Sequence, residues 1–303
     1  MAQPAYRGRF APSPTGPLHF GSLVAAVASF ADARSHRGEW LVRIEDVDET
    51  RCRNDAERAI LHSLLMFGMR WDAEPVRQSE RKSLYDGALR MLVENGHAYR
   101  CNCSRKTLAA IATTGSEGTI YPGTCRRSPP PPQSQAAWRV RVDSERVEFT
   151  DRVCGTLTQC LDTEIGDFVV RRVDGFTAYQ LAVVVDDDAQ GITDVVRGAD
   201  LLWSTPRQLW LQRLLHLRTP HYAHIPLIYN ADGKKLSKRD RAHPADDNDP
   251  VPALVAAWRH LGQQAPDIPV ASTDAFWRWA VPRWHIDRVP KDSVTRHERI
   301  DTL

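Results

Sequence analysis

The sequence predicts an α/β protein with a parallel sheet whose strands are joined by crossover helices. Over the first 96 residues, short apolar runs that fit strands alternate with longer segments that have a helical pattern. This strand–helix order favours a parallel sheet, because the helix between two strands carries the chain back to the edge where the next strand begins. The alternation stops near residue 97 and resumes near residue 167, which predicts an insertion between two halves of the sheet.

The elements of the first half follow in order. Residues 6–11 form a short strand pattern, and the small apolar residues 22–34 fit a helix packed on a sheet. Residues 41–44 fit a second strand. Asn54 can cap a helix that runs to about residue 67, and Ser79 can cap another that ends at Asn95 and Gly96.

The inserted segment differs in charge and composition. Residues 97–141 hold seven Lys or Arg and one acidic residue, a net charge of +6. Three cysteines lie within this stretch, and the proline run 129–132 excludes a helix or central strand there. Residues 138–149 alternate like a strand.

The second half contains further strand candidates at residues 167–170, 181–185 and 225–229. A helix over 204–217 begins at a cap residue and an early proline. A basic loop covers residues 234–241, and a helix covers 251–261. The nearby Trp277, Trp279 and Trp284 are expected to be core residues rather than a platform for stacking bases. We therefore divide the chain into 1–96, the first half of the α/β domain; 97–166, the insertion; 167–229, the second half; and 230–303, the loop and a small helical C-terminal region.

Composition excludes several classes of protein. A net charge of +2, with 26% charged and 42% hydrophobic residues, indicates a folded domain and not a disordered polycation. No run approaches the roughly 18 apolar residues of a membrane helix, and the first ten residues lack an apolar signal core. Six cysteines are too few for a disulfide scaffold. We expect a monomeric, cytoplasmic protein without a membrane partner.

Two segments carry candidate chemistry. Residues 12–22 read PSPTGPLHFGS and lie between the first strand and the first helix, where open α/β sheets bind ligands and a helix N-terminus favours phosphate. His19 can donate to phosphate oxygens, and Gly21 allows close approach. Residues 234–239, KKLSKR, follow the last strand and would suit a polyphosphate. Each segment alone is more often structural.

Together the two segments resemble the HIGH and KMSKS motifs of class I aminoacyl-tRNA synthetases, here HFGS at 19–22 and KLSKR at 235–239. RFAPSPTG at 9–16, RIED at 43–46, AYQLAVVVDD at 178–187 and VRGADLL at 196–202 are similar to the glutamate-specific branch. The resemblance runs from about residue 7 to residue 242 and implies a Rossmann-like catalytic domain. Ser22, Leu236 and Arg239 depart from the motifs, and we interpret them as variation within the branch.

The resemblance implies roles for particular residues. Arg9 and Arg197 present guanidinium groups suited to the carboxylates of glutamate, Glu45 can hold the α-ammonium group, and Tyr179 offers a phenol. The whole glutamate set is Arg9, Phe10, Ala11, Pro12, Ser13, Glu45, Tyr179 and Arg197. The ATP set is His19, Gly21, Ser22, Ser237 and Lys238; His19 and Lys238 are the catalytic candidates, and Mg²⁺ is expected on the phosphates.

The clustered cysteines predict a zinc site. Zinc takes four ligands and favours thiolates, and Cys101, Cys103 and Cys125 supply three. The family's insertion carries a Cys-x-Cys…Tyr-x3-Cys zinc site, so the resemblance implies Tyr121 as the fourth ligand. His97 is a rival fourth ligand, and three unmetallated thiols are the structural alternative.

The length of the chain indicates which molecule accepts the glutamate. Only about 60 residues follow Arg241, too few for the helical anticodon-binding region of long family members. This resembles short members that attach glutamate to queuosine in the anticodon of tRNA(Asp). Three alternatives stay open: glutamylation at the tRNA 3′ end, a small-molecule nucleotidyltransferase, and a non-catalytic zinc-bearing RNA-binding module.

Overall fold

A computed structural model describes residues 5–115, 118–144, 146–228 and 248–291. The predicted α/β class is confirmed: the central sheet has seven strands in the order β3-β2-β1-β11-β12-β8-β9, and only the β8–β9 pair is antiparallel. Its strands are β1 (Arg7–Phe10), β2 (Glu39–Ile44), β3 (Val76–Arg77), β8 (Arg146–Asp151), β9 (Gly155–Cys160), β11 (Asp194–Gly198) and β12 (His221–Ile225).

The helices of the first half follow the predicted order, whereas the second half contains one helix, α7, that was not predicted from the sequence. Helix α1 contacts β1, β2 and β11, and it is rich in alanine, so its backbone can lie close to the strands. The helices of the first half are α1 (Phe20–Ser35), α2 (Asn54–Met66) and α3 (Lys82–Glu94); those of the second half are α7 (Tyr179–Ala189) and α8 (Thr205–Leu215).

A second, antiparallel sheet has the order β10-β7-β4, with β4 (Ala98–Cys101), β7 (Ala137–Val140) and β10 (Phe168–Arg171). Between β4 and β7 lie α4 (Arg105–Ile111), the hairpin of β5 (Thr113–Gly115) and β6 (Gly118–Ile120), and α5 (Thr124–Arg127); α6 (Leu161–Glu164) precedes β10. Strands β8 and β9 join the central sheet, while β10 pairs outside it. The proposed boundaries at 97 and 167 remain our division of the chain.

Three strand predictions differ from the structure. Residues 181–185 lie in helix α7, because this helix is buried on several sides and therefore shows an unbroken apolar run. The last described strand, β12, ends at Ile225, where the predicted strand begins. Residues 138–149 divide between β7 and β8 instead of forming one strand.

The C-terminal described region packs against the core. Helices α9 (Pro250–His260) and α10 (Thr273–Ala280) enclose aromatic side chains. Trp277 and Trp284 are buried as predicted, whereas Trp279 is only partly buried against the same core. The Trp277 indole donates to the Phe67 carbonyl at 2.8 Å, and the Trp284 indole donates to Asp32 Oδ1 at 2.9 Å. These contacts attach the region to helix α1 and to the end of helix α2.

Of the helices in the described ranges, none has the length and apolar character that would let it cross a membrane.

Candidate functional site

The main cavity opens at the carboxyl ends of β1, β2, β11 and β12. Strand β1 lies between β2 and β11, so the chain order reverses at this point, which is where open α/β sheets bind ligands. The cavity has a volume of about 420 Å³. All described members of the predicted glutamate and ATP sets line it: Arg9, Phe10, Ala11, Pro12, Ser13, His19, Gly21, Ser22, Glu45, Tyr179 and Arg197.

The loop after β1 leads into α1 through His19, which caps the helix. The Ser22 backbone N–H donates to His19 Nδ1 at 3.2 Å, and His19 Nε2 lies 3.0 Å from Ser22 Oγ. A Cβ atom at position 21 would lie 3.3 Å from the His19 ring, tighter than most real contacts. Gly21 therefore keeps both the imidazole and the helix N-terminus accessible from the cavity.

Arg9 is held from behind by a buried carboxylate. Its Nε donates to Asp187 Oδ1 at 3.3 Å, and Arg43 Nη1 donates to the same oxygen at 2.7 Å. Burial opposes ionisation of Asp187, but the charges of Arg43 and Arg9 outweigh it and hold the pKa of Asp187 below its usual value. Asp187 therefore stays charged and fixes one edge of the Arg9 guanidinium.

Glu45 is a mostly buried carboxylate whose negative charge is only weakly balanced by nearby cations. Its closest cation in the described chain is Arg43, whose Nη2 lies 3.4 Å from Oε1. Burial raises the pKa of Glu45, although the charges of Arg43 and Arg9 act in the opposite direction. A bound cation beside Glu45 would therefore stabilise its ionised form.

Arg197 lies on the neighbouring strand with most of its donors occupied. Its Nε donates to His224 Nε2 at 3.0 Å, and its Nη2 donates to Thr205 Oγ1 at 2.9 Å and to the Leu201 carbonyl at 3.3 Å. Its Nη1 is 3.4 Å from the hydroxyl of Tyr179. The remaining donor capacity of this buried guanidinium is on Nη1.

His224 should make stability depend on pH. Burial lowers its pKa to about 4, with the Arg197 charge adding to burial and with Asp151 and Asp200 opposing it. The unfolded chain, with a pKa near 6.5, therefore binds the proton more readily. The stability from this site is complete above pH 6.5 and is lost as the pH falls towards 4.

We therefore expect wild-type protein to lose about 2 kcal/mol more unfolding free energy than His224→Gln between pH 7 and pH 4.5. Urea titrations of both proteins at the two pH values measure the difference. Equal losses would show that His224 is protonated in the folded protein as easily as in the unfolded chain.

The second predicted loop, residues 235–239 with Ser237 and Lys238, lies outside the described residues. Four buried residues that hold the site were missed by sequence reasoning: Arg43, Asp151, Asp187 and His224. Arg43 and Asp187 did occur within the quoted RIED and VVVDD blocks. A charged residue inside an apolar strand or helix was the available signal for them.

The three clustered cysteines come together as predicted. Cys101, Cys103 and Cys125 place their Sγ atoms within 4.8 Å of one another, a separation compatible with shared zinc at Zn–S distances of about 2.3 Å. The Tyr121 hydroxyl lies 3.4 Å from Cys101 Sγ and 3.7 Å from Cys103 Sγ. Within the described chain, His97 does not belong to this group.

Tyr121 is oriented by its neighbours. Its hydroxyl oxygen accepts the Cys125 backbone N–H at 2.8 Å, and the Arg139 guanidinium lies over its ring at 4.0 Å. Gly123, at φ 74°, makes the left-handed turn that brings α5 and Cys125 back to this oxygen. Three thiols and a directed phenol fit a four-coordinate metal site.

Comparison with known proteins agrees with this geometry. The family model for class I tRNA synthetases (E and Q), catalytic domain, matches residues 5–269. A protein of Aromatoleum aromaticum named glutamyl-Q tRNA(Asp) synthetase is 51% identical over 96% of this chain and 92% of its own length. Proteins with the same name from Dechloromonas aromatica and Neisseria meningitidis serogroup C are 51% and 49% identical, over 95% and 96% of this chain and 97% and 99% of their own lengths.

Solved structures show the same fold. The glutamate tRNA ligase of Elizabethkingia meningosepticum superposes with a TM-score of 0.81 at 24% identity, over 95% of this chain and 66% of that one. The glutamate-tRNA synthetase of Elizabethkingia anophelis gives 0.78 at 26% identity, over 95% and 67%. The resemblance seen in the motifs is thus confirmed. The chain belongs to the class I aminoacyl-tRNA synthetases of the E and Q branch, which are ligases, and within that family to the group of glutamyl-Q tRNA(Asp) synthetases.

Proposed function

We propose that this protein activates glutamate with ATP and transfers it to the queuosine base in the anticodon of tRNA(Asp). The single observation that carries the activation step is the cavity that brings Arg9, Arg197 and Glu45 together beside the N-terminus of α1. Two cations and one anion match the two carboxylates and one ammonium group of glutamate. The curated relatives with about 50% identity support the choice of acceptor.

Each charged group has a role in binding. Arg9 and Arg197 bind the carboxylates of glutamate through charge-assisted hydrogen bonds, which are stronger in a partly buried site. Glu45 binds the α-ammonium group, which adds a second cation to a carboxylate whose contact with Arg43 is 3.4 Å long. Tyr179, partly buried beside Arg197, contacts the amino acid through its hydroxyl. Phe10, Ala11, Pro12 and Ser13 form the adjoining wall.

ATP binds along the N-terminus of α1. Gly21 and Ser22 offer backbone N–H groups and the positive end of the helix dipole, and His19 turns from Ser22 towards a phosphate oxygen. Ser237 and Lys238 are predicted to bind the phosphates from the second loop. Mg²⁺ is expected on the phosphates, where it would neutralise charge.

Two transfers complete the reaction. A glutamate α-carboxylate oxygen attacks the α-phosphorus of ATP in line, the bond to the bridging oxygen breaks, and pyrophosphate leaves. A hydroxyl of the queuosine cyclopentenediol then attacks the carbonyl carbon of glutamyl-adenylate. An ester forms as AMP leaves with the bonding electrons, and the hydroxyl proton passes to the departing phosphate. His19 and Lys238 stabilise charge that develops on the phosphates, so positioning and electrostatics supply the catalysis.

The remaining assignments concern the whole molecule. Zn²⁺ is held by Cys101, Cys103, Tyr121 and Cys125, where it would link β4 to α5. The protein acts as a monomer in the cytoplasm. Residues 1–96 and 167–229 form the catalytic domain, 97–166 the zinc-bearing insertion, and 230–303 the motif loop and the C-terminal region.

A glutamate-dependent ATP–pyrophosphate exchange assay without tRNA tests the activation step. We expect exchange with glutamate and much less with glutamine. An inert protein, or one that prefers glutamine, would contradict the proposal.

Transfer of labelled glutamate to tRNA(Asp) with and without queuosine tests the acceptor. Labelling of the unmodified tRNA or of its 3′ end would favour conventional glutamylation. A protein that forms an adenylate but uses no tRNA would favour a small-molecule nucleotidyltransferase.

Loss of one thiol should remove the metal. We expect Cys103→Ser to reduce bound zinc from about one ion per chain to a small fraction, since a site with two thiolates binds zinc far less tightly. Elemental mass spectrometry on the purified protein measures the zinc content. Cys160→Ser is the matched control, because Cys160 lies outside the cluster. Equal zinc content in both variants would show that the cluster is not the zinc site.

A further inference from the structure

We propose that Asp151 and His224 are positioning residues that fix Arg197 by a directed hydrogen-bond chain, and thereby set the affinity for the amino-acid substrate. This inference rests on the proposed function, in which Arg197 binds a carboxylate of glutamate. Neither residue lines the cavity, so both act only through Arg197.

The sheet places the three side chains in a row. Arg197 on β11 and His224 on β12 are register partners in a parallel pair, so their side chains stand on the same face. Asp151, at the end of β8, pairs with Tyr222 two residues before His224. His224 and Asp151 are fully buried, and Arg197 is 5% exposed.

The chain has a fixed direction. His224 Nδ1 lies 2.7 Å from Asp151 Oδ2, and Arg197 Nε lies 3.0 Å from His224 Nε2. Arg197 can only donate, so Nε2 must be the acceptor and the proton of the neutral imidazole must be on Nδ1. Asp151 accepts that proton's hydrogen bond and so selects the tautomer that Arg197 requires.

Asp151 is itself held by the backbone. Its Oδ1 accepts the N–H groups of Val153 and Cys154, each at 2.9 Å, and that of His224 at 3.3 Å. Only Oδ2 therefore faces the imidazole. With Nε held by His224 and Nη2 by Thr205 and Leu201, the Arg197 guanidinium cannot rotate, and Nη1 is left to face the substrate.

The substitution Asp151→Asn changes the tautomer of His224 while it leaves the volume of the side chain at position 151 almost unchanged. The backbone N–H groups retain the amide oxygen at the Oδ1 position, so the NH₂ group must face His224 Nδ1. The imidazole proton then moves to Nε2, where it opposes the N–H of Arg197. We expect the KM for glutamate to rise about tenfold or more, while kcat changes less than threefold and the KM for ATP stays within twofold.

His224→Gln is the matched variant that keeps the contact to Arg197. Its amide oxygen can reach the Nε2 position and accept from Arg197 without help from Asp151. We expect its KM for glutamate to stay within about threefold of wild type. A tenfold rise in His224→Gln with no rise in Asp151→Asn would overturn the proposal, because the tautomer would then be irrelevant.

A measurement independent of activity separates this inference from the proposed function. Nitrogen NMR of histidine-labelled protein should show His224 protonated on Nδ1 in wild type and on Nε2 in Asp151→Asn. An Nε2–H tautomer in folded wild type overturns the chain. If wild type forms no glutamyl-adenylate, the proposed function fails, while the NMR result still confirms or overturns the arrangement of the three residues.

Discussion

Asp187→Ala is expected to lower the free energy of unfolding by about 3–5 kcal/mol, the range found when one partner of a buried ion pair is removed. Asp187 Oδ1 accepts from both Arg9 and Arg43, and the Arg43 side chain is fully buried. Without this carboxylate Arg9 and Arg43 would lose the oxygen that they share. Arg43 would keep three other contacts: Gln190 Oε1 at 2.8 Å, Glu45 Oε1 at 3.4 Å and Asp186 Oδ2 at 3.9 Å. These remaining contacts are uncharged or longer than the 2.7 Å contact to Asp187, so they replace it only in part.

The neighbouring Asp188→Ala provides a matched control on the same helix. Asp188 pairs with Arg218, whose side chain is 68% exposed, and surface pairs of this kind contribute about 0–1 kcal/mol. Urea denaturation at pH 7, with the slope compared between variants, measures both changes. Similar losses in the free energy of unfolding would mean that the buried ion pair contributes no more to stability than the surface pair.

Asp187 and its helix show which parts of the fold could be predicted from the sequence and which could not. The α/β class, helix α1 and helix α3 could be predicted because their patterns are local. Helix α7 could not, because burial on several sides removes the periodicity that separates a helix from a buried strand. The acidic residues that end its apolar run were the available indication. Asp186 accepts from Gln78 and Tyr85, and Asp187 accepts from Arg9 and Arg43.

The residues of the candidate site that lie in sequence motifs could be predicted. Those that only the fold brings to the site could not. His19, Arg9 and Glu45 lie in quoted motifs, and the structure places them around one cavity. Asp151 lies more than 40 residues before Arg197, within a segment predicted to be an insertion. Its strand, β8, joins the central sheet between β12 and β9 through one residue pair with β12, a long-range contact that no local pattern encodes.

Arg197→Ala is expected to lower kcat/KM for glutamate in pyrophosphate exchange by about 10²–10³, because truncating one partner of a buried charged contact costs about 2–5 kcal/mol. The loss should fall mainly on glutamate: Arg197 is held by His224, Tyr179, Thr205 and the Leu201 carbonyl, whereas ATP is proposed to bind at the N-terminus of α1, so the KM for ATP should change less than about threefold. The amino-acid dependence of exchange at saturating ATP measures the first quantity, and its ATP dependence measures the second.

Arg172→Ala removes the same side chain from the surface and serves as the control for Arg197→Ala. Arg172 pairs with Asp48 and Asp174 away from the cavity, with 42% of its side chain exposed, so exchange should remain within about twofold of wild type. If Arg197→Ala retained activity within threefold of wild type while folded, the carboxylate-binding role would pass to Arg9 alone. The hydrogen-bond chain through His224 would then orient a side chain that the substrate does not use.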